Sequence, residues 1–206
     1  MTASESWDAV HRDREWGMEP LEHLVRFVKR NYPDGGAGLT ALDLGCGAGA
    51  QTCFLARMGF GTSGIDSSHE AINRCVKHAW DKSFAGTVGF QVADVCTVPI
   101  KDGFFDLVVD TACLQHVTDA DLGKAMREVH RVLKPGGRFF SYALRVGTSQ
   151  SVRERMPVRV LHRYDIGHKY ETTGMITESV DAAEFTEGNG TIIVRHWIIV
   201  GRKVAT

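Results

Sequence analysis

The chain has 206 residues, 43% of them hydrophobic and 24% charged, with 24 basic residues against 25 acidic ones. This length and balance fit one soluble domain able to bury its own core without staples. A net charge of −1 excludes a global field drawing the protein to nucleic acid or an anionic membrane, and no apolar run nears the roughly 20 residues that span a bilayer.

The polar start, MTASESWDAVHRDREW, offers no signal-peptide core, so a cytoplasmic protein is expected. Cys46, Cys53, Cys75, Cys96 and Cys113 are odd in number and lack C-x-x-C spacing. They read as reduced thiols acting as small core hydrophobes, with neither zinc nor a disulfide framework expected.

In chain order, residues 4–16 suit a helix capped by Ser4, with Trp7, Val10 and His11 on one face. Pro20 suits the first turn of a second helix whose apolar stripe is Leu21, Leu24, Val25 and Val28, and Pro33-Asp34-Gly35-Gly36 ends it. Strand and helix then alternate. Strands are expected at 40–44, 61–66, 87–93, 105–110 and 138–144, and helices at 50–58, 68–80 and 118–133. Thr118 and Asp121 form a capping box for the last helix, and Lys134-Pro135-Gly136-Gly137 stops it. Beyond Leu144 lies a polar, arginine-rich stretch, 145–173, and then a long β-type run at 191–202 preceded by a Gly188-Asn189-Gly190 turn. This pattern predicts a parallel sheet with helices on both faces and a terminal hairpin.

The first strand runs into Gly45-Cys46-Gly47-Ala48-Gly49. Glycines there let the backbone turn sharply and approach a ligand, while the next helix aims its N–H groups at it. Gly45-x-Gly47-x-x-Ala50 also satisfies the dinucleotide pattern, so an NAD(P)-dependent oxidoreductase is a rival. Asp66 closes the second strand about 20 residues on, where a carboxylate accepts from ribose hydroxyls; Asp66-Ser67-Ser68 equally makes a helix start.

The stretches Leu42–Gly49, Gly64–Ser68 and Ala93-Asp94-Val95 resemble the first three motifs of the class I S-adenosylmethionine-dependent methyltransferases. Val98–Val109 resembles the family's link into its fourth strand, and Glu128–Gly137 its fifth motif. The likeness covers about residues 40–144, in order and with family-like spacing. An NAD enzyme has no reason to carry Leu133-Lys134-Pro135-Gly136-Gly137 or the Asp102-Gly103-Phe104-Phe105-Asp106 run.

The resemblance implies a Rossmann-like, doubly wound, mostly parallel seven-stranded sheet with a C-terminal antiparallel hairpin. One domain, 1–206, then divides into N-terminal helices or a lid (1–39), a cofactor-binding core (40–144), a substrate cap (145–173) and terminal strands (174–206). It implies S-adenosylmethionine as methyl donor and S-adenosylhomocysteine as product. Gly45, Cys46, Gly47 and Gly49 would line its methionine and ribose portions with Asp43 nearby. Asp66, with Ser67 beside it, takes the ribose hydroxyls. Asp94 accepts from the adenine amino group with Val95 beside the ring, and Asp110 and Thr111 face the methionine end.

A sulfonium methyl is already activated, so transfer needs alignment and exclusion of water more than a catalytic group. Where the acceptor must lose a proton, His116 is the candidate base by position. Asp110-Thr111-Ala112-Cys113 stands where the family's amide- and base-methylating branches carry Asn/Asp-Pro-Pro-Tyr/Phe, which argues against DNA or glutamine N-methylation. Trp16 in the lid and Arg153, Arg155, Arg159 and Arg163 in the cap are the candidate acceptor-binding residues, arginine suiting an anionic acceptor. A monomer or homodimer acting on a small molecule is expected, with an S-adenosylmethionine sensor as the non-catalytic alternative.

Overall fold

A computed structural model describes residues 3–14, 17–79, 82–151, 160–162, 173–187 and 191–204. The helices are α1 (Ala3–Asp13), α2 (Glu22–Asn31), α3 (Ala50–Arg57), α4 (His69–Ala79) and α5 (Asp119–Val132). The strands are β1 (Thr40–Leu44), β2 (Gly61–Asp66), β3 (Val88–Val92), β4 (Phe105–Thr111), β5 (Leu133–Leu144), β6 (Met175–Glu187) and β7 (Ile192–Lys203). They form one sheet in the order β3-β2-β1-β4-β5-β7-β6. The first five are parallel, and β7 inserts antiparallel between β5 and β6.

The sheet is covered on both faces because its central strands alternate which face each residue serves. Leu42, Leu44 and Val108 pack with Leu122, Met126 and Val129 of α5. Ala41, Leu107 and Val109 pack on the other face with Leu24 and Val28 of α2 and Phe54 and Leu55 of α3. Burying each large side chain contributes about 1.5–3 kcal/mol, so the stripe on α2 alone accounts for its docking. This is the doubly wound architecture expected from the sequence, with its terminal hairpin.

Local details differ. Ser4 does not cap α1: its hydroxyl donates to the Ser67 carbonyl at 2.7 Å, pinning the helix to the loop after β2. Pro20 lies outside α2, whose N-cap is Leu21; the Leu21 N–H is satisfied by Gln51 Oε1 of α3 at 2.9 Å. Thr118 does cap α5, its Oγ1 accepting from Asp121 N at 3.2 Å. Lys134–Gly137 does not separate α5 from the strand. β5 begins at Leu133, and four residues, 134–137, oppose the single Asp106 between the pairs Phe105–Leu133 and Leu107–Arg138. The segment is a bulge inside the strand, with Gly136 at φ +78°.

Arg131, in the helix before that bulge, explains much of the local sequence. Its guanidinium donates to the carbonyls of Val98 and Ile100 and pairs with Asp102 and Glu128 at 2.7 Å each. Glu128 in turn accepts from Val98 N. One side chain thus fixes the whole connection into β4. No helix among the described residues is long and apolar enough to cross a membrane.

Candidate active site

Parallel sheets of this order present their ligand site beyond the carboxyl ends of the strands, where neighbouring connections leave in opposite directions. β1 and β4 adjoin there. The loop after β1 carries three residues in the left-handed region: Gly45 at φ +62°, Gly47 at +53° and Gly49 at +88°. At Gly45 a Cβ would stand 2.5 Å from both Cβ and Sγ of Cys113, so close packing as well as backbone conformation demands glycine.

Asp66 organises the loop. Its Oδ2 accepts from Gly47 N at 3.0 Å and its Oδ1 from Ser68 N at 2.9 Å, leaving one lone pair on each oxygen. Ser68 then caps α4 through its hydroxyl to Ala71 N. The expected glycine loop and acidic strand end are brought together, and the carboxylate also makes the helix start.

Asp43 is wholly buried. Thr52 of α3 donates to its Oδ2 at 2.6 Å, while Oδ1 has no hydrogen-bond partner. Burial pushes this carboxyl up to about 7, opposed by Thr52 and reinforced by Asp66 and Asp110. A buried acceptor left unpaired costs roughly 1–3 kcal/mol, which a cationic or N–H-bearing ligand would recover.

Asp110 is also wholly buried, but fully engaged. Its carboxylate accepts from Cys113 N, Leu114 N and Ser141 Oγ at 2.7–3.0 Å, and burial lifts it to about 6. It builds the turn after β4 rather than presenting oxygens to the cleft. In that turn Ala112 has φ +74°, the one positive φ outside glycine among the described residues. Strain of this kind costs of order 1–3 kcal/mol and clusters at functional sites. A 3-10 turn, Leu114–His116, follows; Gln115 Oε1 accepts from Leu144 N at 2.8 Å and ties it to the end of β5. Half-buried Thr111 ends β4.

Asp94 is exposed and turns the chain after β3, its Oδ1 accepting from Cys96 N at 2.8 Å. Val95 packs partly against the α5-side core.

The first helix lies across this rim. Asp8 Oδ1 accepts from Ser68 Oγ at 2.6 Å and Glu70 N at 3.1 Å; the Ser68 hydroxyl, then the Glu70 N–H, holds its carboxyl below the usual range. Arg74 of α4 donates to the carbonyl of Arg14. Trp7 meets the His116 ring edge-on, centroids 4.9 Å apart. His11 is 4% exposed, and its Cε1 stands 3.6 Å from where a Gly47 Cβ would be. Burial holds its pKa down against the pull of the Asp66 carboxylate. The face expected to carry Trp7 and His11 therefore points into the site, but a role there for His11 had no signal in the sequence beyond its spacing from Trp7.

The cysteines are less scattered in space than in sequence. All five are free thiols, but Cys46 and Cys75 lie 3.9 Å apart at the glycine loop, where Cys75 also donates to the Gly47 carbonyl. Trp16, Arg153, Arg155, Arg159 and Arg163 lie outside the described residues. Within the arginine-rich stretch, Leu161 exchanges backbone bonds with Leu144 and Val146, and the Trp197 indole donates to the Leu161 carbonyl at 3.0 Å. Leu161 is thus fixed at the carboxyl end of β5.

Residues 42–141 match the family model described as a methyltransferase domain. A ubiquinone biosynthesis O-methyltransferase of Caulobacter vibrioides is 36% identical over 104 residues, 50% of this chain and 40% of that protein. A norajmaline N-methyltransferase of Rauvolfia serpentina is 37% identical over 107 residues, 50% of this chain and 36% of that protein. The chain therefore spans about two fifths of the length of these curated relatives. For the fold, a structure solved in work on the conversion of a disulfide bond into a thioacetal group during echinomycin biosynthesis superposes with a TM-score of 0.82. It is 21% identical, and the match covers 98% of this chain and 94% of that one.

Proposed function

The chain belongs to the class I S-adenosylmethionine-dependent methyltransferases, and from that premise we propose that it methylates a small-molecule acceptor. The observation that carries this is the convergence of the left-handed glycine loop, Asp66 with a free lone pair on each oxygen, and the unpaired Oδ1 of Asp43. These groups fit S-adenosylmethionine: a cationic amine suits the orphaned carboxylate oxygen, and vicinal hydroxyls suit Asp66.

Asp66 holds the ribose, and Gly45, Cys46, Gly47 and Gly49 keep side chains off the path of the donor. Asp94, through its second carboxylate oxygen, and Val95 bind the adenine. Ser67 supports this end through its carbonyl, which anchors α1. Thr111 stands at the methionine end, with Asp110 shaping the turn beneath it. When bound, S-adenosylmethionine supplies an activated methyl on a sulfonium sulfur. The protein's part is to align the acceptor and exclude water, and α1, with Trp7 and His11 over the rim, provides the cover. His116, fixed by Trp7 and the Gln115 tie, accepts the acceptor's proton where one must leave.

Release of S-adenosylhomocysteine from S-adenosylmethionine, dependent on an added metabolite pool, tests the proposal. Tight S-adenosylmethionine binding with no turnover across a broad pool of phenols, amines and thiols would favour a sensor instead.

A further inference from the structure

Arg145 directly follows β5, the strand that adjoins β4. Its N–H donates to the Arg195 carbonyl at 2.8 Å, and its own carbonyl accepts from Thr148 Oγ1 at 2.9 Å. Its guanidinium lies over the Trp197 indole of β7, 4.9 Å from the ring centroid. That indole is itself held, 9% exposed and with its N–H on the Leu161 carbonyl. Backbone and guanidinium are therefore positioned before any ligand arrives. The platform adjoins the turn that carries His116. Gln115 Oε1 accepts from Leu144 N, so the residue before His116 is bonded to the residue before Arg145. Leu114 and Val117, on either side of that pair, pack in the same core cluster as Leu161 and Trp197.

The charge on this arginine is treated unlike that of its neighbours. Arg138 of β5 and Arg195 and Arg202 of β7 each pair with a carboxylate of β6, Glu178 or Glu184. The half-buried Arg145 side chain meets no carboxylate and no hydrogen-bond acceptor among the described residues. An arginine serving packing alone gains nothing from keeping a partly desolvated charge unmatched. The indole engages the guanidinium through its ring, which leaves the fork of N–H donors open. That fork is the geometry that takes two oxygens of a carboxylate or phosphate at once.

We propose that Arg145, steadied by Trp197, binds an anionic group of the methyl acceptor, a carboxylate or a phosphate. The inference rests on the methyltransferase reading and deepens it by naming the acceptor class and the residue that selects it. The acceptor then spans adjacent strands, its anionic end over β5 and β7 and its reacting atom toward β4 and His116. It agrees with the anionic acceptor expected from the arginine-rich segment, and it places the countercharge on the sheet itself.

The probes are benzoate, phenyl phosphate and, as their uncharged counterpart, benzyl alcohol. Each is titrated by calorimetry into the full chain, free and loaded with S-adenosylhomocysteine, in a buffer without phosphate or carboxylate. Magnetic resonance follows the Trp197 indole N–H in parallel, identified by its loss in Trp197→Phe. At least one anion is expected to bind about tenfold or more tightly than benzyl alcohol and to shift that resonance. The tighter of the two anions tells a carboxylate acceptor from a phosphate one. Arg145→Met keeps the stem and should weaken the anion by about tenfold, with benzyl alcohol unchanged. Arg145→Lys, which keeps the charge without the fork, should fall between. Unchanged S-adenosylhomocysteine affinity shows both variants to be folded. Benzyl alcohol binding as tightly as both anions, anion binding undiminished in Arg145→Met, or no binding of either anion would overturn the proposal. Failure to bind S-adenosylhomocysteine is a separate result and counts against the methyltransferase reading, because the anions are also titrated into the free chain.

Discussion

The two halves of the carboxyl rim treat their polar groups differently. At the β1–β2 half, Asp66, Ser68, Asp8 and the loop amides satisfy one another, so the loop is preorganised before any ligand arrives. Of the carboxylates there, Asp43 keeps one oxygen, Oδ1, without a hydrogen bond and wholly buried. At the β5–β7 half, Tyr142 and His196 stack 4.1 Å apart; among the described residues the Tyr142 hydroxyl has no hydrogen-bond partner, and His196 Nδ1 is buried without one. A loop closed by its own hydrogen bonds is fixed in place, whereas rings held by packing keep polar atoms in reserve. The α1 helix bridges the two, its Asp8 on the first and its Trp7 against His116 near the second.

The sharpest way to break the first half is at Gly45. Gly45→Ala sets a Cβ against Cys113 in a left-handed conformation and should cost about 2–4 kcal/mol, lowering Tm by roughly 5–12 °C. Adding Cys113→Gly should recover part of the loss. A single variant melting like the native chain would mean the close approach is relieved at no cost.

At the junction between the halves, His116→Asn should lower kcat by about a hundredfold while KM moves little, the pattern expected of a lost base. An unchanged kcat would leave alignment as the whole of the catalysis.

Asp43 gives the first half a pH dependence. Its carboxyl titrates at about 7 when folded, against 3.8 ordinarily. The folded state therefore binds the proton more tightly, and the stability this gives, complete below about pH 4, is lost as pH rises through about 7. Asp110 acts with the same sign, being lifted to about 6. Asp43→Asn removes the Asp43 share, so melting curves of the ligand-free variant should fall less between about pH 5 and pH 8 than those of the native chain. Parallel curves would place the buried oxygen in a more polar setting than its missing partner indicates.

The smallest effect should come from the bridge. Asp8→Ala removes two acceptor bonds that hold α1 to α4, and should speed S-adenosylhomocysteine dissociation a few-fold in stopped-flow measurements while leaving the melting temperature within about 3 °C. Dissociation at the native rate would mean that Ser4, Arg74 and Trp7 hold the helix without it.

The same contrast governs what the sequence discloses. The glycine loop, Asp66 and the Thr118 cap lie within single strand–loop–helix units, so residue type and spacing reveal them directly. Helices on both faces of the sheet were legible too, from the alternation of strands with helices, as was the stripe on α2. The stack of His23, Tyr142, His196 and Phe185 was not: its rings meet through the packing of α2 and the β5–β7–β6 registers, which no local pattern encodes. Ser4 and Pro20 look like helix-start residues, but tertiary bonds at Ser67 and Gln51 set the boundaries instead. Lys134–Gly137 reads as a stop because proline and glycine are breakers; β4 accommodates them as a bulge.

The central claim is that the glycine loop and Asp66 hold the adenosyl donor, and calorimetry on the full chain tests it most directly. S-adenosylhomocysteine should bind in the micromolar range, about −8 kcal/mol, with NAD far weaker and Asp66→Ala losing about a hundredfold or more in affinity. Comparable binding of NAD, or an Asp66→Ala variant that is folded and binds S-adenosylhomocysteine as tightly as the native chain, would contradict it.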